Sequence, residues 1–222
     1  MPVPHRFVEW FGSANRRTGY YPSHCFGVRD SLSLDPVRLY HAGAIQRLAS
    51  HPKIAETTNI PQPYPKDGAA SWIISAMPRQ MAGVEYSFAI MREDDDTLVG
   101  VTSLMNVGQG EAELGYWIGY PYWGNGYATK ANRLVLEFAF ESVCLDTIYA
   151  RPLLRNAASC RVLDKLGFDL VDVVENVFPK WDNTDSLGMY EIEKVYWSSR
   201  CNSAESREGF DNVSSAAATM GS

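Results

Sequence analysis

The chain has 222 residues, of which 45% are hydrophobic and 21% charged, and a formal net charge of -6. That length fits one domain with a tail and a sizeable core, and the composition is that of a soluble globular protein. An acidic balance argues against nucleic acid, whose phosphates need clustered Lys and Arg, and no apolar run approaches the roughly 18 residues needed to cross a membrane.

The first thirty residues are mixed, with Arg16-Arg17 and Tyr20-Tyr21-Pro22, and are read as an arm over residues 1–27. His24 to Arg29 (HCFGVR) could form a first strand. Asp35-Pro36 then opens a stretch with Val37, Leu39, Tyr40, Ala44, Ile45 and Leu48 at helical spacing, ended by His51-Pro52. Thr57 to Pro65 holds three prolines and reads as a loop, and Asp67 to about Arg79 as a second helix.

The period then changes. Val84 to Met91 and Thr97 to Met105 are β-branched and aromatic strands joined by Arg92-Glu93-Asp94-Asp95-Asp96, a solvated turn rather than a metal site. Ala112 to Ile118 alternates, with Leu114, Tyr116 and Ile118 on one face and Glu113, Gly115 and Trp117 on the other. A strong helix follows, with Ala131, Leu134, Val135, Phe138 and Ala139 in one stripe. Thr147 to Ala150 is a short strand. Asn156 caps a helix with Val162, Leu163 and Leu166 inside and Gly167 at its C′ position. Phe168 to Val174 and Leu187 to Val195 are the last strands, and the small, polar stretch 198–222 reads as disordered. Hairpin-linked strands followed by crossover helices predict a mixed, mainly antiparallel sheet with helices on its faces, an α/β (α+β) fold.

Cys25, Cys144, Cys160 and Cys201 show no C-x-x-C spacing and no His pair completes a zinc pattern, so they read as reduced thiols of a cytoplasmic protein without a metal. The opening MPVPHRFVEWF has no apolar core of signal-peptide length, and no membrane partner is expected.

The informative segment is Trp123-Gly124-Asn125-Gly126-Tyr127-Ala128-Thr129, where a strand hands over to the strong helix. Glycine allows positive φ and close backbone approach. Successive N–H groups in such a turn converge on an anion, helped by the helix dipole behind them. Alone, such a turn could simply shape the connection. There is no G-x-x-x-x-G-K-[ST], and position 129 is Thr where a third glycine of G-x-G-x-x-G would stand.

In context the turn says more. ELGYWI, then WGNGYATKA, then NAASCRVLDKLGF resembles the GNAT N-acetyltransferase superfamily, in particular its ribosomal-protein-alanine N-acetyltransferase branch, from about Val28 to Val195. The resemblance places a GNAT domain over 28–197 and implies a twisted sheet with strands splayed at the CoA site. It implies acetyl-CoA as cosubstrate and a primary amine, of a small molecule or a protein N-terminus, as acceptor. A monomer or homodimer is expected.

In that family the pyrophosphate lies on the backbone amides of a turn that matches Trp123 to Ala128 here, with donors from Asn125 to Thr129 and Trp123 where the wider superfamily has Gln or Arg. The pantetheine pairs with an open strand edge, here Tyr116, Trp117 and Ile118 up to Gly119, and an N–H near Ile118 polarises the thioester carbonyl. Simple sheet packing explains Trp117 and Ile118 as well. Asn156 matches the Asn that contacts pantetheine, although a helix N-cap accounts for it equally. Ser159 matches this branch's acid for the departing thiolate, with Tyr190 as backup; the Tyr used elsewhere in the superfamily aligns with Leu163. Glu113, with Glu111 second, is the expected base for the amine; a solvated face explains either. The acceptor site is implied by Thr57–Pro65, with Tyr64, and by about 175–187, with Phe178, Trp181, Asp182 and Asp185. A non-catalytic CoA-binding or interaction module with this fold remains the alternative.

Overall fold

A computed structural model describes residues 32–176, 178–181, 185–197 and 199. Its strands are β1 (Leu32–Pro36), β2 (Tyr86–Arg92), β3 (Thr97–Gly108), β4 (Glu111–Ile118), β5 (Thr147–Ala150), β6 (Asp169–Glu175) and β7 (Ser186–Glu193). Its helices are α1 (Ala42–Ala49), α2 (Pro52–Ala55), α3 (Gly68–Met81), α4 (Tyr127–Glu137) and α5 (Ala157–Leu166). The strands make one sheet in the order β1-β2-β3-β4-β5-β7-β6. Every neighbouring pair is antiparallel except β4 and β5, which are parallel.

Both faces of the central strands are covered, which is why β2 and β3 read as nearly continuous apolar runs. Tyr86, Phe88, Ile90, Leu114 and Ile118 face α4 and α5, whose Ala131, Leu134, Val135, Leu163 and Leu166 complete the larger core. Ala89, Leu98 and Val101 face α1 and α3 through Ile45, Leu48 and Ile73. Each fully buried Leu or Ile contributes about 1.5–3 kcal/mol. The stripe of α4 continues into a π-helical turn at Phe138–Ser142, where the Phe138 ring meets Tyr86 and Phe88 edge-on at 5.3 and 5.4 Å.

Three expectations change. Asp35-Pro36 closes β1 instead of opening a helix: Leu34 is buried, Asp35 pairs with Ala89, and the Val37 N–H donates to the Ser87 carbonyl. The helix begins later, after a 3-10 turn at Leu39–His41. His51-Pro52 ends α1 but also starts α2, with the His51 ring nitrogen accepting from the Lys53 N–H. The second helix runs past Arg79 to Met81 with Pro78 in its last turn, and Asp67 makes no side-chain cap. The acidic turn behaves as expected, with Arg92 bound to Asp94 and Asp95 at the hairpin tip. The strand at His24–Arg29, the 1–27 arm and the tail, apart from Ser199, lie outside the described residues.

Candidate active site

The sheet opens in its middle. β4 and β5 pair at only three positions, Glu111↔Thr147, Ala112↔Ile148 and Glu113↔Tyr149. Past that point β5 ends at Ala150, and Pro152, which has no N–H to add to a ladder, follows. β4 runs on to Ile118, paired only with β3. The Gly119 N–H donates to the Val99 carbonyl at 2.8 Å on the β3 side. Strand alternation then turns the N–H and C=O of Tyr116 and Ile118 toward the gap. The Trp117 side chain packs on the smaller core and that of Ile118 in the larger one, so packing holds the edge whose backbone is open.

That open edge leads directly into the glycine turn. Gly124 and Gly126 have φ of +82° and +75°, and a Cβ at either would meet nothing within 4 Å. Among the described residues, the N–H groups of Gly124, Asn125, Gly126, Tyr127, Ala128 and Thr129 reach no backbone carbonyl; the first to do so is Lys130, on Gly126 at 3.1 Å. Side chains hold the turn instead. The Trp123 indole donates to the Ile118 carbonyl at 2.6 Å, and the Asn125 amide to Tyr122 and Trp123 carbonyls at 3.1 and 3.2 Å. Tyr127 is buried, and Ala128 packs against the core. The result is a row of N–H groups without backbone acceptors among the described residues, at the N-terminus of an 11-residue helix, where the helix dipole favours negative charge.

Across the gap from β4 lies the start of α5. Asn156 is its N-cap, its side-chain oxygen accepting from the Ser159 N–H at 3.2 Å. Ser159 Oγ lies 2.9 Å from the Tyr116 hydroxyl, which also reaches the Ser159 carbonyl at 3.3 Å. Burial pushes the Tyr116 phenol well above its ordinary pKa, against a smaller opposing effect of the Ser159 hydrogen bond. Tyr116 thus keeps its proton and serves as a hydrogen-bond partner. Tyr190 is buried on β7 beside Cys160, and burial followed by the Cys160 hydrogen bond raises its phenol to about 12. Leu163 is fully buried and offers no acid.

Glu113 is occupied. Arg151 grips it as a fork, Nε to Oε1 at 3.1 Å and Nη2 to Oε2 at 2.8 Å, and the Asn106 amide donates to Oε2 at 3.2 Å. Glu111 is exposed at the head of β4. Sequence reasoning gave no role to Arg151 and treated Tyr116 only as strand edge. The one signal for Arg151 was its place between β5 and Pro152.

The model of the acetyltransferase (GNAT) domain matches residues 31–169, which is 139 of 222 positions. The chain belongs to the GNAT acetyltransferase family. Members of that family take an acetyl group from acetyl-CoA. Probable N-acetyltransferase YjcK of Bacillus subtilis is 35% identical over 108 residues, 47% of this chain and 60% of that protein, so the match spans less than two thirds of the relative. The spermidine N-acetyltransferase of Vibrio cholerae, solved with CoA and spermine, superposes with a TM-score of 0.66 at 17% identity, covering 75% of this chain and 97% of that one. The ribosomal-protein-S5-alanine acetyltransferase of Vibrio fischeri gives 0.66 at 16% identity, with 75% and 94% covered. At such identities the likeness is one of fold. No helix among the described residues is long and apolar enough to cross a membrane.

In this GNAT chain the two segments expected to form an acceptor site do meet. Lys180 donates to the Thr58 carbonyl at 2.7 Å and to that of Ile60. Arg155 binds the Asp185 carboxylate at 2.8 Å and the Glu56 carbonyl at 3.0 Å. Phe178 and Trp181 pack edge-to-face at 5.5 Å. Asp185 is therefore committed to Arg155, and Asp182 lies outside the described residues. Tyr64 packs under the start of α3, its ring against Gly68.

Proposed function

We propose that the chain is an acetyl-CoA-dependent N-acetyltransferase in which a primary amine attacks the donor directly in a ternary complex, with no covalent enzyme intermediate. The observation that carries this reading is the continuity of the open β4 edge with a turn whose six N–H groups lack backbone acceptors. The fit is chemical: free amides and unfilled space at Gly124 and Gly126 suit a diphosphate, and the N–H and C=O of Tyr116 with the N–H of Ile118, whose carbonyl already accepts from Trp123, suit an arm that itself carries amides. Acetyl-CoA supplies an activated thioester.

The chain's own residues would then act as follows. Asn125 to Thr129 hold the diphosphate, with Gly124 shaping the turn. The Ile118 N–H faces the gap and can stabilise charge developing on a carbonyl oxygen there. Ser159, oriented by Tyr116, passes its hydrogen to the departing sulfur and takes one back from water, which carries the proton the amine has lost. Tyr190, sealed in the core beside Cys160, supports α5 from behind. The amine enters between the 57–65 loop and the β6–β7 loop, as a small molecule or a protein N-terminus, and loses its proton to water at that mouth.

Calorimetry with CoA, then release of free thiol from acetyl-CoA across a pool of amines, tests the reading. Binding with turnover for one amine class is expected, and that amine should also raise the melting temperature in the presence of CoA. Well-folded protein with no affinity for CoA would end it. Binding without turnover for any amine would leave a CoA-binding module.

A further inference from the structure

The Glu113–Arg151 pair stands where the sheet divides. Glu113↔Tyr149 is the last rung joining β4 to β5, and Arg151 is the first residue after β5. Pro152 cannot prolong the backbone ladder. The link at this point is therefore made by side chains. Arg151 reaches back to Glu113 with two nitrogens on two oxygens, a planar match that fixes orientation as well as distance. Asn106, on β3 where the β3–β4 register shifts, adds a third hydrogen bond at 3.2 Å. β3, β4 and the segment directly after β5 are thereby tied to one carboxylate whose side chain is only 12% exposed. The far side of the guanidinium lies over the Phe178 ring, 6.0 Å from its centroid, on the loop expected to border the acceptor.

We propose that Glu113 and Arg151 are a positioning pair that sets where β4 and β5 separate, and that Glu113 is held for this task and not for proton transfer. The inference rests on the acetyltransferase reading above. The edge that would seat the donor begins next to this clamp, so a shift at the clamp moves Tyr116 and Ile118. Three of the carboxylate's roughly four acceptor positions are already taken by Arg151 and Asn106, so accepting a proton from an amine would compete with the clamp. Tyr149 and Glu111 are the other titratable groups beside it.

The test compares Glu113→Gln, Arg151→Met, the double variant and Arg151→Lys, by CoA calorimetry and by kcat and KM from about pH 6 to about pH 9, the range over which a general base would show itself. Displacements near 1 Å can cost on the order of 100-fold in rate, so each single variant should lose roughly 10- to 100-fold in kcat at every pH, with the shape of the profile unchanged. The double variant should lose no more than either single one, because both remove the same fork. Arg151→Lys keeps the charge but not the fork and should recover only part. If a variant fails to fold, Asn106→Ala should show the same effect more weakly.

The proposal is overturned if Glu113→Gln is far slower at neutral pH and recovers as pH rises while Arg151→Met resembles wild type, because that is the behaviour of a base. It is also overturned if both single variants keep wild-type kcat and CoA affinity. Wild-type protein that binds no CoA would instead refute the donor reading, a separate result from any of these.

Discussion

Gly126→Ala isolates the left-handed backbone of the turn from everything else about it. At φ of +75° an added Cβ meets nothing within 4 Å, so no clash enters the estimate. What remains is the left-handed conformation itself, about 1–2 kcal/mol for a non-glycine residue, offset by about 0.4–1 kcal/mol from a stiffer unfolded chain. The net is roughly 1 kcal/mol, and it must appear in one of two places. If the turn keeps its shape, the melting temperature falls by about 2–4 °C and CoA affinity is unchanged. If the turn relaxes instead, the fold is spared and CoA affinity drops about fivefold, since about 1.4 kcal/mol corresponds to tenfold. Gly43→Ala is the control: it lies in α1, has ordinary φ and equally open space, and should gain about 0.5–1 kcal/mol. Differential scanning with and without CoA, together with calorimetry, reads both quantities. A Gly126→Ala protein with wild-type melting temperature and wild-type CoA affinity would show that the left-handed geometry is not required, and the cradle argument would lose its basis.

Tyr116→Phe removes the partner of Ser159 from a buried site, so it should cost about 1–2 kcal/mol of stability and lower kcat while leaving the CoA dissociation constant near wild type, checked by initial rates and calorimetry. Leu163→Tyr, which restores the residue type of the wider superfamily, should not rescue Ser159→Ala; Leu163 is fully buried, and overpacking there should cost about 1–3 kcal/mol in a denaturant titration. His41 is buried with Nδ1 accepting from the Arg38 N–H and, among the described residues, no hydrogen-bond partner at Nε2. Burial lowers its pKa below the 6.5 of the unfolded chain, so the unfolded state takes up the proton first. Its contribution to stability is intact above about pH 6.5 and declines as pH falls through that value and below. Melting curves of His41→Gln should lack this decline.

What the sequence showed depended on how local the cause was. Strand β5 was legible to the residue, Thr147–Ala150, because β-branched and aromatic residues stand between turn signals. Helix α5 was legible from both ends, since the Asn156 cap and Gly167 at φ of +91° are chemistry between near neighbours. Asp35-Pro36 misled because it carries the same local chemistry as a helix start, while pairing with Phe88 and Ala89, some fifty positions away, decided the outcome. Alternation along β4 correctly turned Tyr116 toward the larger core, but not toward Ser159 in particular, which lies 43 residues on. The Glu113–Arg151 fork spans 38 residues and leaves no trace in spacing. The N–H groups of Asn125 to Thr129 were expected as donors, and for Gly126 to Thr129 the reason is that a helix N-terminus leaves its first N–H groups without intrahelical partners.

The split in the sheet also bears on what can fill it. Proteins rarely leave backbone donors and acceptors inside a sheet without partners, and an open edge invites pairing with another strand. Here that risk is confined. The gap is flanked by α5, whose Ser159 bonds Tyr116 across it, and its lower end is closed by the Arg151 fork. A polypeptide strand continuing past Glu113 would run into that closure. A short chain with its own amides, ending in a small group and carrying an anion at its other end, can satisfy the edge at Tyr116 and Ile118 and the donors of Gly124 to Thr129 together. On the proposed reading, the distribution of unpaired groups would thus sort ligands by order of chemistry: an anion at the turn, then a chain carrying amides and a carbonyl along the strand.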